Sequence, residues 1–148
     1  MSDTAIDTEQ RLSLLCRLGE YLTKGEEWEQ SKARALQANA WFTMPHIDLA
    51  VHNIVSQFLQ KDKLEQWLQC YSLPDRAKTV GIIMAGNIPL VGFHDFLCGF
   101  ISGHRIMLKL STKDEPLLRH IVEKLTQWEP QAGAQVQIAD RLKSCDAY

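Results

Sequence analysis

The sequence lacks most of the short motifs from which a function is usually inferred. It contains neither the Gly-x-Gly-x-x-Gly dinucleotide fingerprint nor the Gly-x-x-x-x-Gly-Lys phosphate loop. Its four cysteines have no Cys-x-x-Cys spacing and its five histidines are scattered, so neither a metal site nor a disulfide framework is predicted. Reduced thiols of this kind are typical of the cytoplasm, and we expect a cytoplasmic protein.

An excess of one charge and a long apolar run are also missing. The chain has 16 Lys and Arg residues and 18 Asp and Glu residues, for a net charge of -2. Nucleic-acid binding is therefore not expected. The most apolar stretch, residues 80–101, contains His94 and Asp95 in its middle, which excludes a membrane span. The first ten residues carry three acidic residues and no Lys or Arg, so no export signal is expected.

The first half of the sequence is predicted to be helical. At 148 residues, 45% hydrophobic and 23% charged, the chain has an ordinary globular composition. Apolar residues recur at helical spacing up to about residue 75, and Gly25 and Pro45 mark one helix end and one helix start. We therefore assign residues 1–75 to a helical N-terminal region. Its expected apolar positions are Leu12, Leu15, Leu18 and Leu22 in the first helix, Leu49, Ile54, Val55, Phe58 and Leu59 after Pro45, and Leu64, Trp67, Leu68 and Tyr71 at the end.

Residues 76–148 are predicted to form part of a nucleotide-binding α/β domain. Short apolar segments at 79–84, 105–110 and 135–138 are typical of buried strands. Between them we predict one helix that begins at Pro89 and another, over about 115–128, that Ser111 or Thr112 caps. This alternation predicts right-handed crossovers and a parallel sheet. The last four residues are typical of a further strand start, so we expect a truncated domain.

Two motifs lie at the carboxyl ends of the first two predicted strands, where open α/β sheets bind ligands. Asn87-Ile88-Pro89 follows the first strand, and residues 103–111 have the pattern Gly-x-x-x-x-x-Lys-x-Ser across the second. Through these motifs, the stretch 80–114 resembles the acyl-CoA reductase family, which includes the fatty-acid reductase of bacterial luminescence and belongs to the aldehyde dehydrogenase superfamily. Weaker similarity, including Trp41-Phe42-Thr43, extends the resemblance towards both ends.

The resemblance implies a partial Rossmann-like parallel sheet of the aldehyde dehydrogenase type and the reduction of a fatty acyl thioester to an aldehyde with NADPH. In that reaction a cysteine thiolate attacks the thioester, coenzyme A leaves, and a hydride from NADPH releases the aldehyde. By this resemblance, Asn87 would stabilise the oxyanion with its amide, and Lys109, Ser111, Thr112 and Lys113 would bind the cofactor. The nucleophilic cysteine is expected beyond the last residue, so the chain alone is expected to be inactive.

Two departures from the broader superfamily fit the reductase branch better than an aldehyde-oxidising role. Gly86 stands where an aromatic residue is usual, and Leu110 stands where proline is usual. Thr112 stands where NAD-preferring relatives tend to place a glutamate, whose charge would repel the 2′-phosphate of NADPH. We therefore expect a preference for NADPH over NADH.

Each of these roles has a simpler alternative. Asn87 could merely close a tight turn, and Lys109 could extend along the sheet edge into solvent. Thr112 could only cap a helix while Lys113 points into solvent. The alternative for the whole chain is a non-catalytic binding or assembly module with an aldehyde-dehydrogenase-like half domain. In either case we expect a homo-oligomer, which would cover the exposed sheet edges.

His94 and Cys98, four residues apart on a predicted helix, have the spacing of a nucleophile and its base. The apolar residues around Cys98 favour instead a buried, inert thiol. His94 is then either a core histidine or a residue that lines an acyl pocket. The four tryptophans, which are Trp28, Trp41, Trp67 and Trp128, are interpreted as core or interface anchors.

Overall fold

A computed structural model describes residues 5–148 of the chain. Residues 1–4 lie outside the described residues, and they are part of the N-terminal stretch in which no export signal is expected. The described part folds into seven helices and three strands. In chain order they are α1 (Thr8–Lys24), α2 (Glu26–Ala38), α3 (Met44–Gln57), α4 (Lys61–Cys70), β1 (Thr79–Ile83), α5 (Phe93–Ile101), β2 (Arg105–Lys109), α6 (Glu115–Trp128), α7 (Pro130–Gln135) and β3 (Val136–Ile138).

The four N-terminal helices form as their local sequence predicts. α1 begins with a capping box, in which Asp7 and Gln10 each accept the other's backbone N–H at 2.8 Å, and it ends at Gly25. Thr43 precedes α3 and caps it, because its hydroxyl accepts the N–H of His46. The buried residues of α3 are Ile47, Val51 and Ile54, whereas the predicted core position Leu49 is 57% exposed, so that assignment was wrong.

The three strands form one parallel sheet in the order β1-β2-β3, so the chain is an α/β protein, as predicted. Helices cover one face of this sheet. Ile106 and Leu108 of β2 are buried, whereas Arg105 and Lys109, which alternate with them, are exposed. α5 packs on β1 and β2, and α1 lies across α5 and α6. A single hydrophobic core therefore joins the N-terminal helices to the sheet.

After β3 the chain returns across the sheet to the other side of β1. Ala147 forms a parallel bridge with Val80 and accepts the N–H of Gly81 at 2.9 Å. On the way, this return segment (residues 139–148) passes so close to Gly81 that a Cβ there would lie 2.9 Å from the Sγ of Cys145 and 3.0 Å from the ring of Tyr148. The strand order thus reverses beside β1, and the predicted fourth pairing segment is present as a single bridge.

Two details of the α/β region differ from the prediction. The helix expected from Pro89 begins only at Phe93, because Leu90 adopts a left-handed backbone conformation with φ of 56° and interrupts any earlier helical turn. The residue before α6 is Asp114, not Ser111 or Thr112, and its side chain does not cap the helix. Helix α7 was not predicted, since its six residues follow α6 directly.

Among residues 5–148, no helix is both long enough and apolar enough to cross a membrane.

Candidate functional site

The loops that follow β1 and β2 are in direct contact at the carboxyl edge of the sheet. The N–H of Met84 donates to the carbonyl of Lys109 at 3.0 Å, which carries the strand pairing one residue beyond β1. Gly86 then lies against the side chains of Ser111 and Lys113, where a Cβ would overlap Ser111 and come within 3.1 Å of Lys113. Any side chain at position 86 would force the two loops apart, so glycine is required for this junction.

The junction brings most of the predicted site residues to one edge. Asn87 follows Gly86 directly and is exposed. Ser111 is half-buried and its hydroxyl accepts the N–H of Lys113 at 3.3 Å, whereas Thr112 and Lys113 are exposed. Lys109 is exposed on the sheet face away from the helices, so its charge is not buried. Its position at the end of β2 is as predicted.

Sequence reasoning missed a buried carboxylic acid at this junction. Asp114 is 6% exposed, and its Oδ2 accepts the N–H of Leu90 at 2.6 Å. Its Oδ1 is buried and has no hydrogen-bond partner among the described residues. Burial raises the pKa of Asp114 to about 7, against the opposing effect of the Leu90 hydrogen bond. The signal in the sequence was an aspartate directly before a proline-containing helix start, a position that we gave to Ser111 or Thr112.

The carboxylate of Asp114 also fixes the strained residue of the first loop. Leu90 is 3% exposed and keeps its φ of 56°, a region that costs a non-glycine residue roughly 1 kcal/mol or more. Burial of its side chain and the bond to Asp114 both hold it there. Because such strain is concentrated at functional sites in proteins, it supports this edge of the sheet as the candidate site.

A turn from the helical region reaches the second loop. Asn39, 8% exposed, donates its side-chain N–H to the carbonyl of Lys113 at 3.1 Å and accepts the N–H of Trp41 at 3.0 Å. Trp41 itself is 90% exposed, which overturns its interpretation as a core anchor. Trp28, by contrast, is fully buried.

His94 and Cys98 lie beside a separate cavity of about 240 Å³ between α5 and helices α3 and α4. The Nε2 of His94 is 3.8 Å from the Sγ of Cys98. Burial, with a smaller contribution from Asp95, raises the pKa of the Cys98 thiol, so this geometry favours the protonated and unreactive form. His94 is exposed and not part of the core, so of its two predicted roles the core one was wrong.

No group of three His, Cys, Asp or Glu side chains within residues 5–148 is placed to hold a metal ion. Comparison of the chain with models of known protein families, with curated proteins and with solved structures finds no match.

Proposed function

We propose that this chain is the N-terminal part of an NADPH-dependent acyl-CoA reductase, which converts a fatty acyl thioester to an aldehyde. The observation that carries the proposal is the junction between Gly86 and the side chains of Ser111 and Lys113. It sets the loop with the proposed oxyanion donor against the loop with the proposed cofactor residues. Both loops follow parallel strands at the edge where α/β sheets bind ligands.

The reversal of strand order beside β1 supports a Rossmann-like sheet of the aldehyde dehydrogenase type. In doubly wound sheets, dinucleotides bind where the order reverses, because the loops diverge there and leave a crevice. Here β2 lies on one side of β1 and the bridge at Ala147 on the other. The end of β1, from which Asn87 follows, is thus next to the reversal.

In the proposed reaction Asn87 donates its exposed amide to the oxyanion that forms when a thiolate attacks the thioester. Lys109, Ser111, Thr112 and Lys113 bind the cofactor, with Lys113 paired with its 2′-phosphate. NADPH supplies the hydride when bound. By the resemblance, the nucleophilic cysteine is expected outside the 148 residues, and the raised pKa of the Cys98 thiol, 3.8 Å from His94, agrees with an unreactive thiol there.

Cofactor titration tests this proposal directly. The purified chain should bind NADPH more tightly than NADH and should not turn over an acyl-CoA. Thr112→Glu should weaken NADPH binding selectively, because a carboxylate about 5 Å from the 2′-phosphate costs up to about 3 kcal/mol at an effective dielectric near 20. Gln30→Glu, which adds the same charge at an exposed position on α2, is the control. An unchanged NADPH-to-NADH affinity ratio in Thr112→Glu would remove this loop from cofactor recognition.

A non-catalytic assembly role has one observation in its favour. Ile83 and Tyr148, on or beside β1, are 71% and 75% exposed, which leaves apolar surface for a second copy to cover. The oligomeric mass from light scattering, together with the cofactor titration, distinguishes the reductase role from the assembly role. A stable oligomer that Ile83→Lys dissociates, in a chain that binds no cofactor, would favour assembly alone.

A further inference from the structure

Trp41 is the most exposed large hydrophobic side chain of the described residues, at 90%. A tryptophan in that position forgoes nearly all the stabilisation that burial of its ring would give. Its neighbour Phe42 is 6% exposed and packs in the core. The sequence therefore buries one aromatic ring of this turn and presents the other to solvent.

The turn that presents Trp41 is held on several sides. The N–H of Phe42 donates to the carbonyl of Asn39 at 3.1 Å, and the backbone N–H of Asn39 donates to Ala35 at the end of α2, also at 3.1 Å. The side chain of Asn39 bonds Trp41 on one side and the carbonyl of Lys113 on the other. The backbone of Trp41 is thereby tied to the loop after β2 through one buried amide.

We propose that Trp41 is a stacking platform for the adenine ring of a phosphorylated adenosine, whose phosphate group Lys113 and Thr112 bind. This inference rests on the proposed function, which places an adenine nucleotide at the same loop. An exposed aromatic face on a hydrogen-bonded turn and an exposed cation on the adjoining loop are the two elements that bind a base and its phosphate in nucleotide-binding proteins.

Two sources could supply this ligand, since both NADPH and coenzyme A contain adenosine with an additional ribose phosphate. The probes are therefore adenosine 2′,5′-bisphosphate, which has the phosphate pattern of NADPH, and adenosine 3′,5′-bisphosphate, which has that of coenzyme A. Each is titrated calorimetrically into the wild-type chain, Trp41→Phe, Trp41→Ala and the control Tyr71→Ala, which removes another exposed ring, 59% exposed, at the end of α4.

Trp41→Ala should weaken binding of at least one bisphosphate by roughly tenfold or more, whereas Trp41→Phe should stay within about threefold of wild type. Tyr71→Ala should bind normally. Because Trp41 contributes little buried area, both Trp41 variants should melt at wild-type temperature. The ligand should also quench wild-type tryptophan fluorescence more than that of Trp41→Phe, a readout that does not depend on the alanine variant.

The outcomes separate this inference from the proposed function. Equal affinity in wild type and Trp41→Ala, or equal quenching in wild type and Trp41→Phe, overturns the stacking role and leaves the reductase proposal standing. If Trp41→Ala weakens binding of the 3′,5′-bisphosphate but not of the 2′,5′-bisphosphate, the stacking role of Trp41 is supported. The proposed NADPH-binding role of Thr112 and Lys113 is then contradicted. A wild-type chain that binds neither probe overturns both. Unchanged affinity with a lower oligomeric mass in Trp41→Ala makes Trp41 a subunit contact and overturns the inference.

Discussion

The ionisable carboxyl group of Asp114 is buried and has little access to water. One of its oxygens has the Leu90 N–H as a partner, and the other is buried with no partner among residues 5–148. A carboxylate in that situation keeps its charge at a cost that one backbone hydrogen bond offsets only in part. With a pKa of about 7, the group changes charge near neutral pH directly beside the loop that carries Asn87.

This burial gives the Asp114 contribution to the stability of the protein a pH dependence with a definite sign. The unfolded chain loses the Asp114 proton near pH 3.8 and the folded chain near 7, so the contribution of Asp114 to the free energy of unfolding should fall as the pH rises between these values. The full decrease is about 4 kcal/mol, at about 1.4 kcal/mol per pKa unit. Asp114→Asn should flatten this slope in urea denaturation, whereas Asp140→Asn, at an exposed position, should retain it. A slope in Asp114→Asn as steep as in wild type would contradict the assignment.

Asn87 is the residue whose proposed role is most directly tested by kinetics. If the chain belongs to the proposed reductase, Asn87→Ala in that enzyme should lower turnover by roughly a hundredfold or more, about 3 kcal/mol of transition-state stabilisation. NADPH affinity should change little, because in the proposed role the amide acts on the substrate and not on the cofactor. Ile88→Ala, at the neighbouring exposed position, is the control for disturbance of the loop. Nearly normal turnover in Asn87→Ala would leave only the turn-forming role.

At the scale of elements, prediction succeeded where the local sequence determines the outcome. Both bounds of α6 are as predicted, since Pro116 lies in its first turn and the next proline, Pro130, follows closely on its end. The predicted start of α5 was wrong, because the actual start depends on the conformation of Leu90. That conformation is held by Asp114, which is 24 positions from Leu90 in the sequence. Contact between the two loops could be predicted from parallel-strand topology. The buried acid and the attachment of Trp41 could not, because both are tertiary contacts of residues that are ordinary in sequence.

The packing of α1 against α6 is centred on a buried histidine. His120 is 9% exposed, and its Nε2 lies 2.6 Å from the hydroxyl of Tyr21. The ring of Tyr21 also packs edge-on against Trp128 at 5.3 Å. Burial lowers the pKa of His120, and the positive charges of Lys124 and Arg34 act in the same direction. The contact is therefore made by the neutral imidazole.

Acid should loosen this helix contact. The stability that neutral His120 contributes is fully present above its unfolded pKa of 6.5 and is lost as the pH falls through the lower pKa of the folded state. His120→Gln, which keeps a polar group opposite Tyr21, should be less stable than wild type at pH near 8 but should lose less stability on acidification. The measurement is urea unfolding of both proteins across this range. Parallel pH profiles would show that His120 does not titrate in the predicted direction.

At the scale of the whole molecule, Gly81 decides whether the return segment can lie on the sheet. A Cβ at this position would meet Cys145, Tyr148 and Leu142 at 2.9 to 3.1 Å. Gly81→Val should therefore displace residues 139–148 and destabilise the fold by about 1–3 kcal/mol, as overpacking of a tight contact does. Ile83→Val, on the same strand but 71% exposed, should have little effect.

Hydrogen exchange locates the change in Gly81→Val. Amide exchange should accelerate in the return segment and stay slow in β2, because the pairing of β1 with β2 does not involve the crowded face. Uniform acceleration over the sheet would mean that the return segment is not a separate layer. Unchanged exchange at residues 139–148 would mean that Gly81 has more room than its contacts indicate.

The sequence separations on the two sides of β1 predict an order of folding events. Thr79 and Arg105, which pair β1 with β2, are 26 residues apart, whereas Thr79 and Asp146 are 67 apart. Closing the longer loop costs more entropy, so β1, α5 and β2 should assemble first and the return segment should dock last. During that interval the outer edge of β1 is an unpaired strand that another nascent chain can join. Refolding yield should then depend on how quickly the last residues reach Val80, and crowded refolding should favour misassembly through this edge.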